Sequence, residues 1–292
     1  MTCITMTRIL RSLAAMAVLS LSFIPQPLPA QSVPAQAQTK PRNYQFRSVD
    51  YPGSSLSTVI AFNGKTAIGG GNTATFSFDG TTYKTLAIPG CPVSLVTGIN
   101  SRGVMVGSCY PGSGLELGFT YDGKTTVTFG FPGESVWPSA INDAGQIVGY
   151  YDDANSSTAF LYQNGAFTTL AYPGALATQP TGINSAGDIV GTWVDSQTIS
   201  RAFLLKDGIY ANVNYPFAAQ TFLYGINDSD DMVGWAFDVP DFGTFSFVCV
   251  GGAFYQEDIT AGSLYLYAIA NNGDVAGAVY DLLGNAHGVI GQ

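Results

Sequence analysis

Gly182-Ile183-Asn184-Ser185-Ala186-Gly187-Asp188-Ile189-Val190-Gly191 is one copy of a phrase that returns along the whole chain. Its outline recurs from Gly98-Ile99-Asn100 to Val106-Gly107, Ala140-Ile141-Asn142 to Val148-Gly149, Gly225-Ile226-Asn227 to Val233-Gly234, and Ala268-Ile269-Ala270 to Ala276-Gly277. The steps between copies are 42, 42, 43 and 43 residues. A period of this length marks stacked copies of one supersecondary unit, because a single copy cannot bury its own apolar face. A more degenerate copy occupies residues 58–69.

Each repeat contains four short apolar or alternating runs, in the third copy residues 136–142, 146–151, 158–162 and 167–172. Such runs between turn residues are the signature of strands. The first two are joined by Asn142-Asp143-Ala144-Gly145, whose glycine accepts a positive φ; Asp230, a residue that tolerates that region, replaces it in the copy after Asn227. The third and fourth meet at Gln163-Asn164-Gly165 and at Lys206-Asp207-Gly208. Every repeat therefore reads as an antiparallel meander. In the second strand Ile147, Gly149 and Tyr151 alternate with Val148 and Tyr150, so both faces are packed, as in a propeller blade held between neighbours. The chain opens with a strand of the fourth type (residues 44–51) and closes with one of the third type (residues 286–290). The expected fold is all-β: a six-bladed β-propeller of four-stranded antiparallel blades, closed by the N-terminal strand, in one domain over residues 44–292. Closure removes a sheet edge that would invite aggregation.

Residues 1–30 stand apart. Arg8 and Arg11 precede the apolar run 13–24, and small residues follow at Ala30 and Ala37, the pattern of a secretory signal peptide cleaved after one of those alanines. That run, of about 12 residues, falls short of the roughly 20 that span a bilayer. Residues 31–43 read as a flexible leader, and the product is expected to be secreted or periplasmic, monomeric and without a membrane anchor. Arg8 and Arg11 are the charged residues of that segment, so nine of 11 basic residues remain against 20 acidic ones. Such a balance disfavours nucleic acid and anionic lipid as partners. Export permits a disulfide, and Cys91 and Cys109 flank a predicted hairpin that could join them; an offset of two or three residues would separate them. Cys249, in Phe247-Val248-Cys249-Val250, reads as a buried thiol.

The motifs Gly-Ile-Asn, Ile-Val-Gly, Thr158-Ala159-Phe160-Leu161, Arg201-Ala202-Phe203-Leu204, Tyr51-Pro52-Gly53 and Tyr172-Pro173-Gly174-Ala175 together resemble the bacterial extracellular HAF-repeat proteins. The likeness covers nearly all of residues 44–292. It implies a repeat scaffold and carries no catalytic residues with it. Phe217 after Pro216, and Asp258-Ile259-Thr260 where Tyr-Pro-Gly is expected, depart from the pattern.

Acids recur in register: Asp153, Asp195, Asp238 and Asp281 each lie four residues after the glycine that ends the phrase. The loops that hold them share an end of the ring with the Tyr-Pro-Gly turns, beside the aromatic residues Trp137, Tyr151, Trp193 and Trp235. Three chemistries fit this pattern: calcium held by carboxylates, a sugar surface with stacking rings, or paired acids for glycoside cleavage. Solvated turn aspartates and rings packed between blades are the commoner source of such a pattern and outweigh all three. His287 falls at the repeat slot of Thr158 and Arg201, so a structural place outweighs a general-base role. The expectation is a non-catalytic module without a cofactor that binds a glycan or a protein, with a carbohydrate-active hydrolase or lyase as the alternative.

Overall fold

A computed structural model describes residues 42–72, 74–112, 114–152, 157–237, 243–260 and 262–292. The expected signal segment and most of the leader lie outside the described residues. Six four-stranded antiparallel sheets begin at residues 57, 93, 135, 177, 220 and 263. In blade 4 the strands are Ala177–Ile183, Ile189–Val194, Ser200–Lys206 and Ile209–Asn212, each paired with the next. Blade 6 takes Ser263–Ile269, Val275–Tyr280 and Ala286–Gly291 from the C-terminal end, and its fourth strand is Phe46–Ser48, with Phe46 opposite Gly291. The chain is a six-bladed β-propeller closed by its N-terminal strand. The degenerate first copy also forms a complete blade, Ser57–Phe62, Ala67–Gly71, Thr75–Phe78 and Tyr83–Thr85.

The first strand of each blade ends at the asparagine turn, here called the Asn end of the ring; the linkers between blades and the loops between second and third strands form the linker end. Asn142 explains why its residue type recurs. Its Oδ1 accepts the backbone N–H groups of Ala144 and Gln146 (3.1 and 2.9 Å), while its Nδ2 donates to the carbonyl of Asn184 in the next blade at 2.9 Å. Asn63 and Asn100 likewise reach the carbonyls of Asn100 and Asn142, and Asn184 and Asn227 reach those of Asn227 and Ala270. The relay runs blade to blade and stops at Ala270, which has no amide to pass it on.

The small residues of the phrase have steric causes. Every first strand carries a bulge, in blade 3 between Pro138 and Ala140 and in blade 4 between Pro180 and Gly182. A bulge bends its strand and crowds the neighbouring backbone. A Cβ on Gly182 would stand 3.0 Å from the Tyr224 carbonyl oxygen, and one on Gly149 would stand 2.3 Å from that of Trp137. The space beside the second glycine is filled from the third strand: Phe119, Phe160, Phe203 and Phe247 are paired with Gly107, Gly149, Gly191 and Gly234 and are fully buried. Each such ring removed from water contributes about 1.5–3 kcal/mol.

The core is not central but divided among six seams, one per pair of adjacent blades. Phe160, Tyr151 and Val136 of blade 3 pack on Val106 and Phe129 of blade 2, and Phe76 and Val59 of blade 1 pack with Ala276 and Ile290 of blade 6. Within blade 6 the N-terminal strand is fastened by Arg42, whose guanidinium meets the nearly buried Asp274 carboxylate at 2.6 Å, and by Tyr44, which donates to the Gly273 carbonyl.

Two substitutions test this account. Asn142→Ala strands a buried carbonyl and two turn N–H groups and is expected to lower stability by about 1–3 kcal/mol. Gly149→Ala is expected to cost at least as much, through the contact with Trp137. Urea denaturation of both reads the effect, and unchanged midpoints would remove the structural roles given to these residues.

Candidate functional site

The axis of the ring is plugged. Phe62, Ile99, Ile141, Ile183, Ile226 and Ile269 border both a cavity of about 80 Å³ at the Asn end and one of about 100 Å³ toward the linker end. Neither reaches the several hundred Å³ of ordinary ligand pockets. The linker-side cavity is lined by the bulge residues Ile60, Thr97, Ser139, Thr181, Tyr224 and Tyr267. Thr97 and Thr181 turn their hydroxyls into the next blade, onto the carbonyls of Pro138 and Leu223 at 2.8 and 2.7 Å. A larger groove of about 800 Å³ lies at the linker end between blades 1 and 2, walled by Thr75, Thr85, Leu86, Pro92 and Ser94 and without a charged or aromatic side chain.

The aromatic residues singled out from the sequence do not form one ring. Tyr151 is buried in the seam between blades 2 and 3, stacked on Phe131 with centroids 4.1 Å apart, so it offers no binding surface. Trp193 stands at the equivalent position of blade 4, stacked on Tyr172 at 4.1 Å, but stays half-buried; its indole N–H and the Tyr172 hydroxyl both donate to Asn212 Oδ1 (3.0 and 3.1 Å). Trp235 follows its glycine directly instead of by two residues, which puts it on the opposite face of its blade. There it stacks on Phe222 at 4.1 Å and meets Tyr265 edge-on at 5.7 Å, in a cluster extended by Tyr224, Tyr267 and Tyr280. Burial raises the Tyr224 phenol above the ordinary tyrosine value and the Tyr267 phenol well above it. Trp137 shares that face orientation in blade 3 and donates its indole N–H to Asp152 at 2.5 Å. The Phe222 to Tyr280 cluster escaped the sequence reading apart from Trp235; its signal is the alternation of rings in Gln220–Ile226 and Ser263–Ile269.

The position occupied by Tyr151 and Trp193 holds Cys109 in blade 2, and the turn above it holds Cys91. The two form a disulfide with Cα atoms 5.3 Å apart, which answers the question of offset in favour of bonding. It ties linker turn to second strand where the Phe131–Tyr151 and Tyr172–Trp193 stacks do so elsewhere. Cys249 is free and buried, its thiol pushed up to about 12 by burial.

Asp195 and Asp281 are occupied as turn caps. Asp195 Oδ1 accepts the N–H groups of Gln197 and Ile199, and Oδ2 accepts from Arg201 at 3.2 Å. Asp281 Oδ1 accepts from Leu283 and Asn285, and Oδ2 from the Asn285 amide. These bonds hold both carboxyls below the usual range, first through the Ile199 N–H for Asp195 and the Asn285 side chain for Asp281. Asp153 and Asp238 lie outside the described residues. His287 sits between two acids, Nδ1 3.0 Å from Asp50 and Nε2 3.7 Å from Asp281, and its pKa is raised, chiefly by Asp50. Among the described residues no group of three or more His, Cys, Asp or Glu side chains is gathered to hold a metal ion, and no helix is long and apolar enough to cross a membrane.

The two ends of the ring differ in chemistry. At the Asn end the tip residues bind one another: Ser185 N–H donates to Asp228, Asp228 N–H to Asn271, and Lys206 bridges Asp188 and Asp230 at 2.7 Å each. At the linker end stand nine of the 11 exposed large apolar residues among the described residues: Leu56, Val93, Leu95, Tyr110, Leu115, Leu176, Phe217, Leu282 and Leu283. With them are Asp50, Glu116, Glu134, Asp152, Asp195, Asp258 and Asp281, against Arg201 and His287. Phe217 is the outlier: it is 97% exposed and takes φ of 66°, where Gly53, Gly90, Gly133 and Gly174 take 79° to 82° in the equivalent turns. A side chain in that region costs about 1–2 kcal/mol.

No family model matches this chain, and no curated protein matches it. Among solved structures it is similar to a TolB protein from Agrobacterium tumefaciens, at 11% identity and a TM-score of 0.57, over 80% of this chain and 89% of that one. A TolB from Acinetobacter baumannii follows at 10% and 0.52, over 82% and 64%. A variant of AofleA from Arthrobotrys oligospora gives 13% and 0.50, over 85% and 86%. At these identities the likeness shows the propeller fold alone.

Two measurements test the site geometry. Reducing the Cys91–Cys109 bond, which closes a separation of 18 residues, is expected to lower the unfolding free energy by about 3 kcal/mol, read as a lower denaturation midpoint; a shift near zero would refute the bond's tethering role. His287 gains its partners on folding and its pKa rises, so its contribution is complete below the ordinary histidine pKa and is lost as pH climbs through the raised one. His287→Gln should therefore be more damaging at pH near 5.5 than near 8.5; an equal effect at both would contradict the Asp50–His287 pairing.

Proposed function

We infer that the protein is an exported, non-catalytic propeller that binds a glycan or a protein ligand at its linker end. The observation that carries this reading is the contrast between ends: polar tips at the Asn end are satisfied by one another, while exposed apolar side chains gather at the linker end. Apolar surface concentrated in this way on a soluble fold marks an interaction site. Export is supported by the signal-like residues 1–30 and by the disulfide, a bond that persists in oxidising compartments. A glycan would find half-exposed rings with polar edges at Trp193, beside Asn212, and at Trp235, beside Tyr265.

A hydrolase needs one carboxyl held protonated near neutral pH. Asp195 and Asp281 are shifted the opposite way, which weighs for binding over cleavage. Glycan-array binding of the mature chain tests the sugar reading: Trp193→Ala or Trp235→Ala is expected to weaken a positive signal by about tenfold, in line with loss of a stacking ring. A signal indifferent to both substitutions would remove these residues from the site.

A further inference from the structure

Phe217 has no visible use to the fold. It is exposed, it holds the turn Tyr215-Pro216-Phe217-Ala218 in a conformation that glycine supplies without strain elsewhere, and the turn closes through the Ala218 N–H and Tyr215 carbonyl whatever the side chain. Strain kept at an exposed residue points to a use outside the fold. Three further apolar tips stand at the same end: Leu176, Leu282 and Leu283, exposed by 64%, 85% and 88%. Both leucines after Asp281 are presented on a turn fixed by the Asp281 cap, and Leu176 is fixed by its N–H on the Val194 carbonyl. Of these four tips Phe217 alone offers a sugar a ring to stack on, whereas all four suit the apolar side chains of another polypeptide.

Charge selects among polypeptides. Of the eight Lys and Arg among the described residues, Arg201 alone lies at the linker end, and Asp195 already holds it. His287 lies between Asp50 and Asp281, and the seven acids there still outnumber Arg201 and His287, so the surface attracts cations and repels phosphate and anionic headgroups. We propose that the linker end docks a cationic polypeptide segment in which apolar residues alternate with lysine or arginine, and that Phe217 is its apolar anchor. This deepens the binding role inferred above and rests on it.

Fluorescence anisotropy of a labelled leucine–lysine amphipathic peptide of about 18 residues, titrated with the mature protein, tests the proposal. A counterpart with glutamate in place of lysine is the control. The lysine peptide is expected to bind and the glutamate peptide not. Raising salt from about 0.05 to about 0.3 M should weaken binding through screening, and Phe217→Gly should weaken it by about tenfold or more. The same variant should melt no lower than the parent, since glycine relieves the turn, so its loss of binding is not a loss of folding. Ile209→Ser, at an exposed residue of the Asn end, should leave binding unchanged. No binding of the lysine peptide, equal binding of both peptides, or an unaltered Phe217→Gly would overturn the proposal. So would Phe217-dependent sedimentation with phosphatidylcholine vesicles, which would make the tips a lipid contact. Glycan binding that depends on Trp193 or Trp235, without peptide binding, would leave the binding role standing and remove this inference alone.

Discussion

Asn142 satisfies its own turn through Oδ1 and the next blade's backbone through Nδ2, and this double duty is what makes separate sheets into a ring. A turn of this kind leaves two N–H groups without a strand partner, and an inner strand leaves a carbonyl facing its neighbour. One amide answers both needs, at a site where an unpaired group is costly. The requirement propagates along the strand. For the amide to reach the next carbonyl, first strands must approach closely, which limits Gly98, Ala140, Gly182, Gly225 and Ala268 to the smallest side chains. The bulge that turns each strand toward the axis then places a carbonyl over the second strand, which limits Gly107, Gly149, Gly191, Gly234 and Gly277 in turn.

Farther from the axis the constraint relaxes from a residue type to a task. Each linker turn must be held against the second strand of the blade it introduces. Phe131 on Tyr151 and Tyr172 on Trp193 do this by stacking, Cys91 and Cys109 covalently, and Ile259 with Val279 through an aliphatic contact within the same seam cluster. In blade 1 the second-strand residue is Gly71, with Ser54 closing over it. Several chemistries serve because the need is contact area and fixed distance, not direction. Such positions vary in sequence without changing the fold.

This gradient explains what was legible in the sequence. The phrase, its period and its turns are local and repeated, and from them followed six blades, their strand order and closure by the segment before Tyr51. The Cys91–Cys109 pairing stayed open because it depends on an offset of a few residues that the pattern does not fix. The acids stayed ambiguous for a physical reason: an aspartate at the mouth of a tight loop is suited both to cap the loop and to hold a ligand, and Asp195 and Asp281 cap their loops. Parity divides the rings. Trp193 stands two residues after Gly191 and Trp235 one after Gly234, so strand alternation sends them to opposite blade faces, a distinction available from counting alone.

What varies at the linker end is therefore of two kinds, and they can be told apart by whether a partner within the chain explains them. The stacks, the disulfide and the capped aspartates are explained by the turns they hold. Phe217 is not: the turn it occupies closes in four other blades with glycine, and its ring meets solvent. Selection for stability alone would replace it, since relief of the left-handed backbone needs only the loss of a side chain. A strained, solvent-facing residue on the apolar, acidic end of a ring whose other end is internally satisfied is what the proposed docking there would account for, and the scaffold's regularity is what makes the exception readable.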